Sequence, residues 1–140
     1  MSTPVIVYVL TGLAALVIVL TRLRMRSGKG AARVYVGRAL LNLHTIAGVL
    51  ALAVWTAFLV APEDSVLGSS TAGIIGLGLW WLTTVAGMLM LVRWMPTHGR
   101  HASDGTQDSW SEGPGLSVLA HIGMLVGVCM FSWAYLTSAV

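Results

Sequence analysis

The sequence predicts an all-α membrane protein: a bundle of four transmembrane helices arranged as two helical hairpins. Three observations predict it. Hydrophobic residues make up 56% of the chain and charged residues only 9%, where a soluble domain carries about 25% charge. The mean hydropathy is +0.84. The apolar residues fall into four runs, at about 4–21, 39–60, 72–92 and 116–137, and none of these contains Asp, Glu, Lys or Arg. A chain of 140 residues with so few charges cannot give a globule a polar shell, so lipid must serve as part of its solvent. Its length fits a single domain.

Each run is read as a helix. About 20 apolar residues are needed to cross the hydrocarbon core; the last three runs meet that length and the first is at its lower limit. Backbone groups in lipid must be satisfied within the segment, which selects helices, and no alternation of period two points to strands. The first run is followed, not preceded, by arginines, so it reads as a retained anchor and not as a signal peptide. The single Cys129 excludes an internal disulfide.

Charge sets the expected orientation. Arg22, Arg24, Arg26, Lys29, Arg33 and Arg38 lie in the segment 22–38, and Arg93 and Arg100 lie in 93–115; these eight are all the Lys and Arg of the chain. The connection between the second and third runs holds Glu63 and Asp64 and no basic residue. The positive-inside rule then makes 22–38 and 93–115 cytoplasmic loops and places both termini outside. With no organelle-targeting signal in the chain, a bacterial cytoplasmic (inner) membrane is the expected location. The pI near 9.6 does not imply a nucleic-acid partner, because the basic residues lie against the membrane and suit anionic headgroups. Trp55, Phe58, Trp133 and Tyr135 are expected at the outer interface and Tyr35 and Trp94 at the inner one; Trp80 and Trp81 fall deeper, where no aromatic belt explains them. The two hairpins open alike, with Leu20-Thr21-Arg22 and Leu91-Val92-Arg93, in the manner of a weak parallel repeat.

The histidines are the informative feature. His44 and His121 each lie five residues beyond the start of their runs. Both runs are expected to point from the cytoplasm outward, so at 1.5 Å per residue both imidazoles lie about 7–8 Å below the cytoplasmic boundary. An ionisable residue inside a membrane span marks function by default, and neutral imidazole is a good iron ligand. Small residues share the same faces: Ala47, Gly48 and Ala51 with His44, and Gly73, Gly76, Trp80, Thr84 and Gly87 along the third run, with Gly87 near the histidines in depth. Tyr8, Thr11, Gly12 and Ala15 form a further small, polar stripe on the first run. Gly123 and Gly127 fall opposite His121 and suit contact with another helix or subunit.

Two histidines at one depth on two parallel helices resemble the arrangement in b-type membrane cytochromes, including the haem-bearing anchors of quinone oxidoreductases. The resemblance covers those two residues. It implies haem b held axially by His44 and His121, with electrons passing between a membrane quinone and a cytoplasmic-side partner. Gly48 and Gly87 would make room for the macrocycle, and Arg38 and Arg93 would face its propionates, since guanidinium suits carboxylate.

Other readings carry less. A lone membrane histidine often hydrogen-bonds a neighbouring helix. His98 and His101, near Asp104 and Asp108, have a loose metal-ligand spacing that also suits a solvated loop. Met88, Met90, Met124 and Met130 are ordinary apolar filler. A proton-coupled transporter generally needs a membrane-embedded carboxylate, and the runs have none. No Walker A, GxGxxG, HExxH or CxxC motif occurs. The alternative to the haem reading is a cofactor-free accessory or scaffold subunit of a membrane complex.

Overall fold

The computed structural model describes residues 2–26, 38–94 and 114–140, which hold four helices: α1 (Thr3–Arg26), α2 (Arg38–Val60), α3 (Ser70–Trp94) and α4 (Pro114–Leu136). Three segments, Arg38–Val60, Ser70–Val92 and Val118–Leu136, are long and apolar enough to cross a membrane, and the apolar part of α1, Thr3–Val19, is shorter. α1 continues past Thr21 into the basic segment. Arginine is a good helix former, so the end of the apolar run is not the end of the helix. The same holds for α3, whose last turn includes Arg93.

α3 packs between α2 and α4, and α1 packs against α2 and α4. α2 and α4 therefore face each other across the bundle. The most extensive packing joins α2 to α3, across the short connection 61–69. That connection is tight and polar. Ser65 donates through its hydroxyl to the Pro62 carbonyl at 2.6 Å and accepts from the Gly68 N–H at 3.0 Å. Gly68 lies so close to the Pro62 carbonyl that no Cβ fits. The Ser69 hydroxyl accepts the Ala72 N–H at 3.4 Å, the bond of an N-cap serine, which satisfies one of the free donors of the first turn.

Small residues let α2 and α3 approach closely, as membrane helix pairs require. A Cβ on Gly76 would stand 3.3 Å from the Trp55 Cα and 3.4 Å from its nitrogen; one on Gly48 would stand 3.3 Å from the Thr83 Cγ2. Gly73 is covered by the Tyr135 and Phe58 rings. The core between the helices holds Val7 and Ala14 of α1, Ala51 and Trp55 of α2, Trp80 of α3, and Val128, Phe131 and Ala134 of α4. Phe131 is its centre, with ring centroids 5.1 Å from Trp55 and 5.9 Å from Trp80.

Two sequence expectations need correction. Trp55 is fully buried, not at an interface. It lies one turn beyond Ala51 on the face of Ala47 and Gly48, and this helical phase turns it inward whatever its depth. On α1 the buried face is Val7, Thr11 and Ala14. The expected stripe is rotated from it: Tyr8 and Gly12 are exposed, although the Tyr8 hydroxyl donates to the Leu59 carbonyl at 2.8 Å and ties α1 to the end of α2. A methyl group added at Gly123 or Gly127 would meet nothing within 4 Å; Gly123 is exposed, whereas Gly127 is buried. Trp81 is part-exposed, and its indole donates to the Ser132 hydroxyl at 3.1 Å.

Because the Trp55 backbone cannot yield as a side chain does, Gly76→Val is expected to lower stability by about 1–3 kcal/mol, as overpacking does. Thermal unfolding in mild detergent measures it; an unchanged melting temperature would show that α2 and α3 do not depend on this approach.

Candidate functional site

α2 and α4 present His44 and His121 to one another beside α3. The ring centroids are 6.3 Å apart and the ring planes differ by 24°. Both side chains are half-buried. Between them lies Gly87 of α3. A Cβ there would stand 2.9 Å from the His121 Cδ2, 3.0 Å from the His121 Nε2 and 3.0 Å from the His44 Cε1. Only a residue without a side chain fits where it touches both rings.

His44 is oriented from behind. Its Nδ1 lies 2.9 Å from the Thr83 carbonyl oxygen. A carbonyl only accepts, so Nδ1 carries the proton and the neutral ring keeps its lone pair on Nε2. The Thr83 carbonyl is placed by the α2–α3 contact, in which the Thr83 methyl group meets Gly48. The Thr83 hydroxyl is occupied locally, donating to the Leu79 carbonyl at 2.8 Å. An imidazole that donates one nitrogen to a backbone carbonyl and keeps the other for a metal is the usual arrangement at metal sites, because it fixes both tautomer and ring direction.

An imidazole nitrogen bonds a first-row metal at about 2.0–2.1 Å; two imidazoles with their Nε2 atoms turned toward one another across such a metal would have ring centroids about as far apart as the 6.3 Å observed. The donor set also discriminates. Among the described residues no group of three or more His, Cys, Asp or Glu side chains converges. A bare zinc ion needs four ligands, and two histidines leave it incomplete. A porphyrin brings four nitrogens of its own and asks the protein for axial ligands alone. The residues present fit a haem.

The remaining expected residues lie as follows. Gly48 is buried one turn from His44, and the space above it is taken by Thr83 and by Ile18 of α1, so it brings helices together and does not border the two rings. Arg38 is the first residue of α2 and is exposed at the end nearer the histidines. Arg93 is in the last turn of α3, and its side chain lies outside the described residues, as do His98, His101, Tyr35 and the segments 27–37 and 95–113. Thr83 had no signal in the sequence, because it acts through its backbone carbonyl.

Comparison with known proteins gives no relative: no family model, no curated protein and no solved structure matches the chain. What the fold and the site define is therefore a class by geometry, a helical bundle with three membrane-length helices and a paired-histidine site.

Gly87→Ala puts a methyl group against both imidazoles. It is expected to separate the rings and cost about 1–3 kcal/mol of stability. In the apoprotein, the imidazole NMR signals of both histidines should move together; if only one moves, Gly87 does not lie between them.

Proposed function

We propose that the chain is a membrane b-type haem protein, a haem-bearing subunit that carries electrons between a quinone in the bilayer and a partner at its basic face. One observation carries the reading: two imidazoles on facing helices, 6.3 Å apart, with a glycine where any side chain would close the space between them. His44 and His121 would hold the haem iron through their ring nitrogens. The Thr83 carbonyl holds the His44 ring in the ligand tautomer. Gly87 keeps the space free, and the apolar layers of Ala47, Ala51 and Val128 beyond it exclude water. Arg38 and Arg93, at the same end of the bundle, are the cations available to propionates. A bound haem would supply one-electron redox chemistry there. The chain's own part is to hold two nitrogens in line, keep the site dry and set its depth.

The sidedness follows from charge. The basic segments 22–38 and 93–115 face the cytoplasm, the acidic connection with Glu63 and Asp64 faces outward, and both termini lie outside. The site is then near the cytoplasmic surface of a bacterial inner membrane, within reach of a soluble or peripheral partner there. Four helices with broad lipid-facing surfaces suit a subunit of a larger complex.

Two measurements test the reading. Protein purified in mild detergent from haem-supplied cells should show a reduced-minus-oxidised spectrum with a Soret shift and a sharp α-band. His44→Ala and His121→Ala should each remove it while the helical circular dichroism persists. A wild-type protein without these bands sinks the proposal and leaves the scaffold subunit in its place; loss in only one variant replaces the second ligand. For sidedness, in a Cys129→Ser background, Ser65→Cys should react in intact cells with a membrane-impermeant maleimide. Labelling only after lysis would invert the orientation.

A further inference from the structure

The first apolar run ends at about 21 and the second begins at about 39, yet those two positions are not level in the bundle. Two contacts fix the register of α1 against α2. The Tyr8 hydroxyl donates to the Leu59 carbonyl at 2.8 Å. Ten residues further along α1, the Ile18 Cδ1 stands 3.7 Å from where a Cβ on Gly48 would be, eleven residues back along α2. The two helices are therefore antiparallel, and both contacts give the same register. α1 stays helical to Arg26, so the register extends past Ile18. Four residues on from Ile18 is Arg22, and four residues back from Gly48 is His44. Both steps are about 6 Å toward the same end of the bundle. Position 22 is thus level with His44. Arg38 and Arg93 are each about 9 Å nearer that end, six residues beyond His44 and Gly87.

The face of position 22 follows in the same way. The packed face of α1 runs through Val7, Thr11 and Ala14, which are buried, and Ile18, which packs on the core. Eleven residues make close to three whole turns of helix, so position 22 falls on the line of Thr11. Arg24 and Arg26 fall on the lines of Leu13 and Tyr8, both exposed. The Arg22 side chain lies outside the described residues; its level and its line are those of the helix backbone. A guanidinium stays charged at any ordinary pH, and in an apolar surround it needs a counter-charge. An imidazole supplies no negative charge, and the four apolar runs contain no Asp or Glu. A carboxylate brought by a ligand would meet that need with two charge-assisted hydrogen bonds.

We propose that Arg22 belongs to the paired-histidine site, as the cation that receives a carboxylate of the group bound between His44 and His121. This rests on the haem reading, in which that group carries two carboxylates. It brings α1 into the site, so that all four helices contribute to it. Arg22 binds and orients the ligand and does not touch the metal.

The test uses the full chain in lipid nanodiscs, whose two faces are both open to solvent. The depth of position 22 is read without haem. In a Cys129→Ser background, Ser27→Cys is expected to react readily with a membrane-impermeant maleimide and Arg22→Cys to be protected. Equal labelling would put position 22 at the surface and overturn the inference. Recognition is read by titrating the apoprotein with haem and with haem dimethyl ester, which lacks free carboxylates. Arg22→Gln is expected to weaken haem binding about tenfold or more, as loss of a charge-assisted bond does, and Arg22→Lys to recover part of it. The ester should bind the wild type and Arg22→Gln alike. An Arg22→Gln protein that binds haem as tightly as the wild type overturns the inference and leaves the haem reading standing, with Arg22 extended to the lipid headgroups. So does an ester for which Arg22→Gln costs as much as it does for haem. A wild type that binds neither haem nor ester fails the haem reading, and the inference with it.

Discussion

The close approach of α2 to α3 is the constraint on which the rest of the structure depends. It needs glycine at two levels: Gly76 against the backbone of Trp55, and Gly48 against the methyl group of Thr83. The second contact does more than hold helices together. It carries the Thr83 carbonyl to the Nδ1 of His44, and it sets the face on which Gly87, one turn further along α3, meets both imidazoles. Without the small residues at this seam, larger side chains would hold the helices apart, the carbonyl would lose the ring, and His44 would be free to turn. In lipid there is little hydrophobic force between helices, so surface fit and hydrogen bonding must hold such a seam.

The helices were legible in the sequence because their signal is coarse. A long run of apolar residues without charge has few meanings. The small-residue faces of α2 and α3 were legible too. Ala47, Gly48 and Ala51, and Gly73, Gly76, Trp80, Thr84 and Gly87, are all buried in the structure. Their helical spacing survives folding because both helices are regular and pack along one stripe. α1 was read less well. Its composition is nearly uniform, so nothing in Tyr8, Thr11, Gly12 and Ala15 fixed which edge turns inward, and the packed face proved to be Val7, Thr11 and Ala14. Trp55 shows that depth along a span does not fix which way a ring faces; its helical phase turns it into the core.

The site was legible only in outline. Depth alone brought His44 and His121 to one level, and Gly87 was placed near them by the same counting. The pairing itself depends on which helices are neighbours, and spacing along the chain does not decide that. The Thr83 carbonyl belongs to the backbone and leaves no trace in residue type. The two ends of the core differ in kind: one holds imidazoles around a glycine, the other a cluster of aromatic rings.

α2 and α4 face one another across the bundle, with α1 and α3 packed between them. Their histidines bring them to a common point at Gly87. Any ligand bonded to both rings is therefore a brace across the diagonal of the bundle. It adds a second tie between two helices that otherwise meet through the rings of Trp55 and Phe131 and of Phe58 and Tyr135. Binding to the folded state alone stabilises that state by mass action, so occupancy and assembly are two readings of one equilibrium. Without such a ligand the bundle would rest on its packing alone, in which α1 has the least extensive contacts with its neighbours. The supply of a small molecule would then govern how much of the protein persists in the membrane.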